Sequence, residues 1–114
     1  DAIHFLSTAI RVRPKNISGW DSLIRCLYNA GYYQEARQQT LSAIKHTQAK
    51  PVFIYYLSAV LFAMNKPKEA LLFLEKGLQA SPKGVKKFVQ LNPSILQKSQ
   101  VVDMIARYKR NRPQ

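Results

Sequence analysis

Apolar residues recur along this chain at the three- and four-residue spacing of a single helix face. Trp20, Leu23, Ile24 and Leu27 stand at i, i+3, i+4 and i+7, and Ile54, Leu57, Ser58 and Leu61 repeat the pattern. Between and after them, Ala36, Thr40, Ala43 and Ile44, then Ala70, Leu74, Gly77 and Leu78, mark the inner faces of two further helices. Asn29-Ala30-Gly31 separates the first two elements, because glycine adopts the positive φ at which helices commonly end. Asn65 takes the glycine's place in the next pair, and Pro67 follows where a first helical turn tolerates it. The run from Val52 to Met64 is apolar over 13 residues, short of the roughly 20 that cross a bilayer, so it predicts a buried helix and no membrane span. The pattern as a whole predicts about six or seven helices in antiparallel pairs and no sheet.

A shift of 34 residues superposes matching types over most of the chain. Ala2, Ala36 and Ala70 align, as do Ala9, Ala43 and Gly77; Trp20, Ile54 and Phe88; Leu23, Leu57 and Leu91; and Leu27, Leu61 and Ile95. Pro14 falls on Pro82, and an acid recurs at Asp1, Glu35, Glu69 and Asp103. Two antiparallel helices approach closely only where one presents a small side chain, which assigns Ala36, Ala43, Ser58, Ala70 and Gly77 as contact points. Glu35 and Glu69 open their helices, where negative charge opposes the macrodipole for about 0.3–1 kcal/mol. The period divides one domain into 1–16, the second helix of a truncated repeat; 17–50 and 51–84, two full repeats; and 85–114, a degenerate closing repeat with a basic tail. Pro93 interrupts the closing repeat, which predicts a short helix, a turn at Asn92-Pro93-Ser94 and a last helix from about Ser99. A stack of repeats needs a polar outer face at its end, and Lys98, Arg107, Lys109, Arg110 and Arg112 suit that role.

At these residues the sequence resembles the tetratricopeptide repeat family. Trp20, Leu23, Gly31, Tyr33, Ala36 and Ala43 match its pattern in the first full period; Leu57, Ser58, Leu61, Glu69-Ala70, Leu74 and Pro82 match it in the second. The resemblance covers about residues 1–82. It implies an all-α, right-handed α-solenoid of about three repeats whose first helices line a concave groove. The groove residues it implies are Ser18, Asp21, Arg25 and Tyr28 in one repeat and Val52, Tyr55, Ala59 and Phe62 in the next, with Lys86 and Val89 entering from the closing repeat. Two readings of Tyr28, Tyr55 and Phe62 stay open: anchors for a partner, which aromatics supply with large area and little entropy loss, or surface covered by a helix upstream or by the closing repeat. Some members of the family clamp a carboxylate tail with Lys, Asn and Arg on successive first helices; Asp21, Arg25, Tyr55 and Ala59 stand at comparable places and do not support that specificity.

Charge adds a second possibility for the partner. The formal net charge is +12, and residues 83–114 hold eight Lys/Arg against one acid. Such a segment attracts acidic protein, nucleic acid or anionic lipid. The expected function is therefore a non-catalytic platform that binds a peptide or partner helix in the groove, with nucleic acid or another anionic surface as the alternative. Against the alternative, the cations are not interleaved with aromatics as a stacking platform. His4 and His46 fall on solvent-facing helix positions with no ligand-spaced Cys or carboxylate, so neither a metal nor a cofactor is expected. Cys26, the single cysteine, reads as a small buried hydrophobe beside the Trp20 face. The repeat origin of Glu35 and Glu69 argues against an acid–base pair, and no enzyme is expected. With no amino-terminal signal pattern the expected compartment is cytoplasmic, and Asp1-Ala2-Ile3-His4 reads as mid-helix, as in a piece of a longer protein with neighbouring repeats.

Overall fold

Asn16 opens the first complete helix pair: its side-chain oxygen accepts the Gly19 backbone N–H at 3.3 Å, meeting one of the amides that a helix start leaves without a partner. The computed structural model describes residues 2–110. Within them lie seven α-helices: α1 Ala2–Val12, α2 Ile17–Asn29, α3 Tyr33–His46, α4 Pro51–Ala63, α5 Pro67–Ala80, α6 Val85–Leu91 and α7 Ser99–Arg110. Short 3₁₀ turns occupy Pro82–Gly84 and Pro93–Gln97, and the described residues contain no strand. Consecutive helices from α1 to α5 pack on one another, α6 packs on α4, and α7 packs on α5. The break at Pro93 and the start of α7 at Ser99 agree with the expected closing segment.

Local chemistry sets the helix ends, and it repeats. After α2, Gly31 takes φ +86°, its N–H donates to the Tyr28 carbonyl oxygen at 3.0 Å, and the Tyr32 N–H donates to that of Leu27 at 2.9 Å. After α4, Asn65 takes φ +62° and the same two bonds recur, Asn65 to Phe62 at 3.0 Å and Lys66 to Leu61 at 2.9 Å. A single left-handed residue thus reverses the chain and satisfies two end carbonyls each time. Pro51 and Pro67 open α4 and α5, where their missing N–H costs no hydrogen bond. α2, α4 and α6 begin at Ile17, Pro51 and Val85, one period apart. The joint between α3 and α4 differs, since Gln48 and Ala49 both have positive φ, 56° and 59°.

The core centres on α4, where Phe53 and every residue from Tyr55 to Phe62 are buried. A helix apolar on all sides belongs in the middle of a packed structure, and α4 touches α2, α3, α5 and α6. Its close approach to α5 occurs at small residues: Ser58, Ala70 and Gly77 are buried, and the Ser58 hydroxyl donates across the interface to the Ala70 carbonyl oxygen at 2.6 Å. Ala36 and Ala43 are likewise fully buried in α3. Trp20 is buried at the α1–α2 junction; its indole N–H donates to the Pro14 carbonyl oxygen at 2.6 Å and its ring stacks on His46 at 5.8 Å. Cys26 is half-buried, not the buried hydrophobe expected. It stands at the edge of the Trp20/Leu23/Leu27 stripe, beside exposed Arg25, so one side remains open.

Candidate partner-binding surface

The groove residues named from the sequence occupy equivalent positions one period apart, so their accessibility can be compared directly. Ser18, Val52 and Lys86 are exposed, half-buried and exposed. Asp21, Tyr55 and Val89 are half-buried, buried and half-buried. Arg25 is exposed while Ala59, its counterpart on α4, is buried. Tyr28 and Phe62 are both buried, at 6% and 9% exposure. In the first three comparisons the α4 residue is the least open, because α4 has α2 on one side and α6 on the other.

Tyr28, Tyr55, Ala59 and Phe62, named as groove residues, are therefore corrected to core positions: all four are buried, and of the two readings left open for the three aromatics it is the covered one that describes them, with residues of the closing segment packed on each. The Tyr55 ring lies between Gly77 and Gly84, so close that a Cβ on Gly84 would stand 2.7 Å from its Cε2 and one on Gly77 3.0 Å from its Cε1. Its hydroxyl donates to the Ser81 carbonyl oxygen at 2.7 Å, and its ring meets Phe88 at 6.0 Å. Phe62 meets Phe88 at 6.5 Å, with the Lys98 ammonium 5.6 Å from its ring centre. The Tyr28 hydroxyl accepts from Asn92 Nδ2 at 2.9 Å, and its ring meets Tyr33 edge-on at 5.3 Å. The residues of the set that remain accessible are Ser18, Asp21, Arg25, Val52, Lys86 and Val89. Asp21 pairs with Arg25 at 3.6 Å and accepts a hydrogen bond from the Tyr56 hydroxyl.

Burial raises the pKa of three phenols. Tyr55 is pushed from its ordinary 10.0 up to about 12 by loss of solvent alone. Tyr56 is raised further, by burial first, then by its hydrogen bond to Asp21 and that group's negative charge, against a lowering by Arg25. Tyr28 is raised by burial, partly offset by the bond from Asn92.

A different concavity lies on the α5–α7 side. Leu78 of α5, Pro82 and Lys83 of the 3₁₀ turn, Val85 and Lys86 of α6, and Ile105, Tyr108 and Lys109 of α7 line a cleft of about 480 Å³. Lys83, Lys86 and Lys109 are exposed, and Val85, Ile105 and Tyr108 half-buried. Lys86 is one of the groove residues named from the sequence, and no repeat pattern brings Ile105 and Tyr108 beside it. That meeting depends on how α7 folds back across α5, which no local pattern encodes; the available signal was an apolar i, i+3 pair on a helix otherwise rich in cations. At the other end, Phe5 and Val12 of α1 are 71% and 73% exposed. Ala2 is exposed, whereas its counterparts Ala36 and Ala70 are fully buried.

His4 and His46 are exposed as expected, with the Nδ1 of His46 2.9 Å from the Ser42 carbonyl oxygen. Among the described residues no group of three or more His, Cys, Asp or Glu could hold a metal ion, and no helix is long and apolar enough to cross a membrane. Arg112 lies outside the described residues. No family model, curated protein or solved structure matches the chain.

Proposed function

We propose that this chain is a tetratricopeptide-type right-handed solenoid segment acting as a non-catalytic platform on which another polypeptide docks. The observation that carries the reading is the row formed by α2, α4 and α6, whose starts are one period apart and which pack in sequence, α2 on α4 and α4 on α6. A row of this kind presents side chains from successive repeats on one extended surface. Ser18, Asp21, Arg25, Val52, Lys86 and Val89 are its accessible members, and a partner engages this surface and not the buried aromatics. Binding of a nucleic acid or other anionic surface is kept as a second reading on a specific observation. Lys83, Lys86, Lys87, Lys98, Arg107, Lys109 and Arg110 are all exposed, and among the described residues none is ion-paired.

Capture of the partner on the tagged chain, followed by protease or nuclease digestion, separates the two. We expect protease alone to abolish the captured species and Arg25→Glu to weaken its binding. Loss on nuclease treatment, with a salt slope approaching about −0.9 per neutralised phosphate, would replace the polypeptide reading with the second. Tyr55→Ala and Phe62→Ala are unsuitable probes of contact, because both side chains are part of the core.

A further inference from the structure

We propose that the cleft between α5, α6 and α7 binds an acidic peptide segment that inserts one large apolar side chain; this rests on the polypeptide-docking reading and adds to it a second contact region, which meets the α2–α4–α6 row at Lys86. The walls are apolar: Leu78 forms the buried floor, and Pro82, Val85, Ile105 and the ring of Tyr108 stand half-buried around it. Half-buried apolar surface in a concavity gains from being covered by a matching side chain. Lys83, Lys86 and Lys109 stand at the rim on three separate elements, and no acid lines the cleft. Glu75 lies one turn before Leu78 on α5, and Asp103 lies more than a turn before Lys109 on α7; neither belongs to the lining.

This combination selects among anionic ligands. Three ammonium groups spread around an apolar centre outnumber the single carboxylate of a fatty acid, whereas a peptide can carry several carboxylates flanking one apolar residue. A membrane surface requires an apolar face that projects into the interface, and these walls line a hollow. Single-stranded nucleic acid requires exposed aromatic faces for successive bases, and Tyr108 is the only aromatic here, half-buried. Long lysine side chains at a rim also place their charges in water while their methylene stems extend the apolar wall. The recognition is therefore bipartite, with the apolar contact setting depth and the lysines selecting sign.

A labelled synthetic peptide with one leucine flanked on each side by two glutamates, titrated into the full chain, tests this by fluorescence anisotropy and amide chemical-shift mapping. Shifts are expected at Leu78, Val85, Ile105 and Tyr108. The triple variant Lys83→Glu, Lys86→Glu, Lys109→Glu should bind at least about ten-fold more weakly, since like charges at a contact disfavour it. A peptide with serine for leucine should lose about as much. The distant triple Lys15→Glu, Lys45→Glu, Lys50→Glu carries the same change in net charge and should stay within about two-fold of the parent. Equal losses from the two triples, shifts elsewhere on the molecule, or the same shifts produced more strongly by phosphatidylserine vesicles or duplex DNA would overturn the proposal. If a captured polypeptide partner bound the double variant Lys83→Glu, Lys109→Glu unchanged while Arg25→Glu weakened it, the cleft assignment would fall and the docking reading would stand. A nuclease-sensitive partner together with no peptide binding would remove both.

Discussion

Tyr55 shows how much one side chain can carry when its neighbours lack side chains of their own. It joins three elements: its ring fills the space left by Gly77 on α5 and Gly84 before α6, and its hydroxyl closes on the Ser81 carbonyl between them. Gly84→Ala should therefore push the ring off its seat and cost about 1–3 kcal/mol, the range for overpacking a filled core; a urea titration gives the value. The same burial predicts an alkaline limit to stability. Folded Tyr55 keeps its proton up to about 12, whereas unfolded tyrosine releases it near 10.0. Above pH 10 the unfolded state thus gains by ionising, and the stabilisation present below that pH is lost as pH rises through 12. Melting temperature should hold to pH 10 on this account and fall between 10 and 12, with a shallower fall in Tyr55→Phe. Tyr56 and Tyr28 shift in the same direction and add to the slope.

Helices here are stopped and restarted by residues whose backbone chemistry is local, with one exception that invites a test. Gln48 and Ala49 are both left-handed at the α3–α4 joint, a conformation that costs an L-residue about 1–2 kcal/mol. The Ala49 N–H donates to the Ile44 carbonyl oxygen at 2.8 Å, which helps hold the turn. Ala49→Gly would relieve its share of that cost, against about 0.4–1 kcal/mol of extra chain entropy in the unfolded state. A net gain of about 0.5–1 kcal/mol is the expected result in thermal melts, and a loss would show that the turn is not strained. Element boundaries were readable from the sequence for this local reason: Gly31, Asn65, Pro67 and Pro93 act within a few residues of themselves. The small contacts at Ala36, Ser58, Ala70 and Gly77 were readable too, because the period repeats them. Tyr28, Tyr55 and Phe62 were not. Whether an aromatic beside the apolar stripe is open or covered depends on Asn92 and Phe88, tens of residues away and in the segment where the period decays. The α5–α7 cleft escaped for the same reason, since its walls come from three elements whose meeting is set by tertiary packing.

At the scale of the whole molecule, α4 decides how the chain holds together. Stacked repeats whose units touch only their neighbours are expected to fray from an end. In this chain the central helix is enclosed by α2, α3, α5 and α6, and the closing segment reaches past it to α2 through Asn92 and Tyr28. Loss of the closing segment would uncover Tyr55, Phe62 and Tyr28 together, so the two ends are tied through one core. The expected outcome is a single cooperative unfolding transition of the described helices, with the slowest amide exchange in α4.

Trp20 makes that cooperativity visible. It is the sole tryptophan, it is buried where α1 meets α2, and it lies against His46 at the end of α3, so its emission, excited selectively beyond the tyrosine absorption band, reports on the amino-terminal half and is blind to α5, α6 and α7. Far-ultraviolet ellipticity reports on all the helices at once. The protein therefore carries an optical marker at one end only, and the two signals become a ruler for propagation: coincident midpoints mean that disruption near Phe88 travels through α4 to the indole, and an ellipticity loss that precedes the emission change means that it stops there.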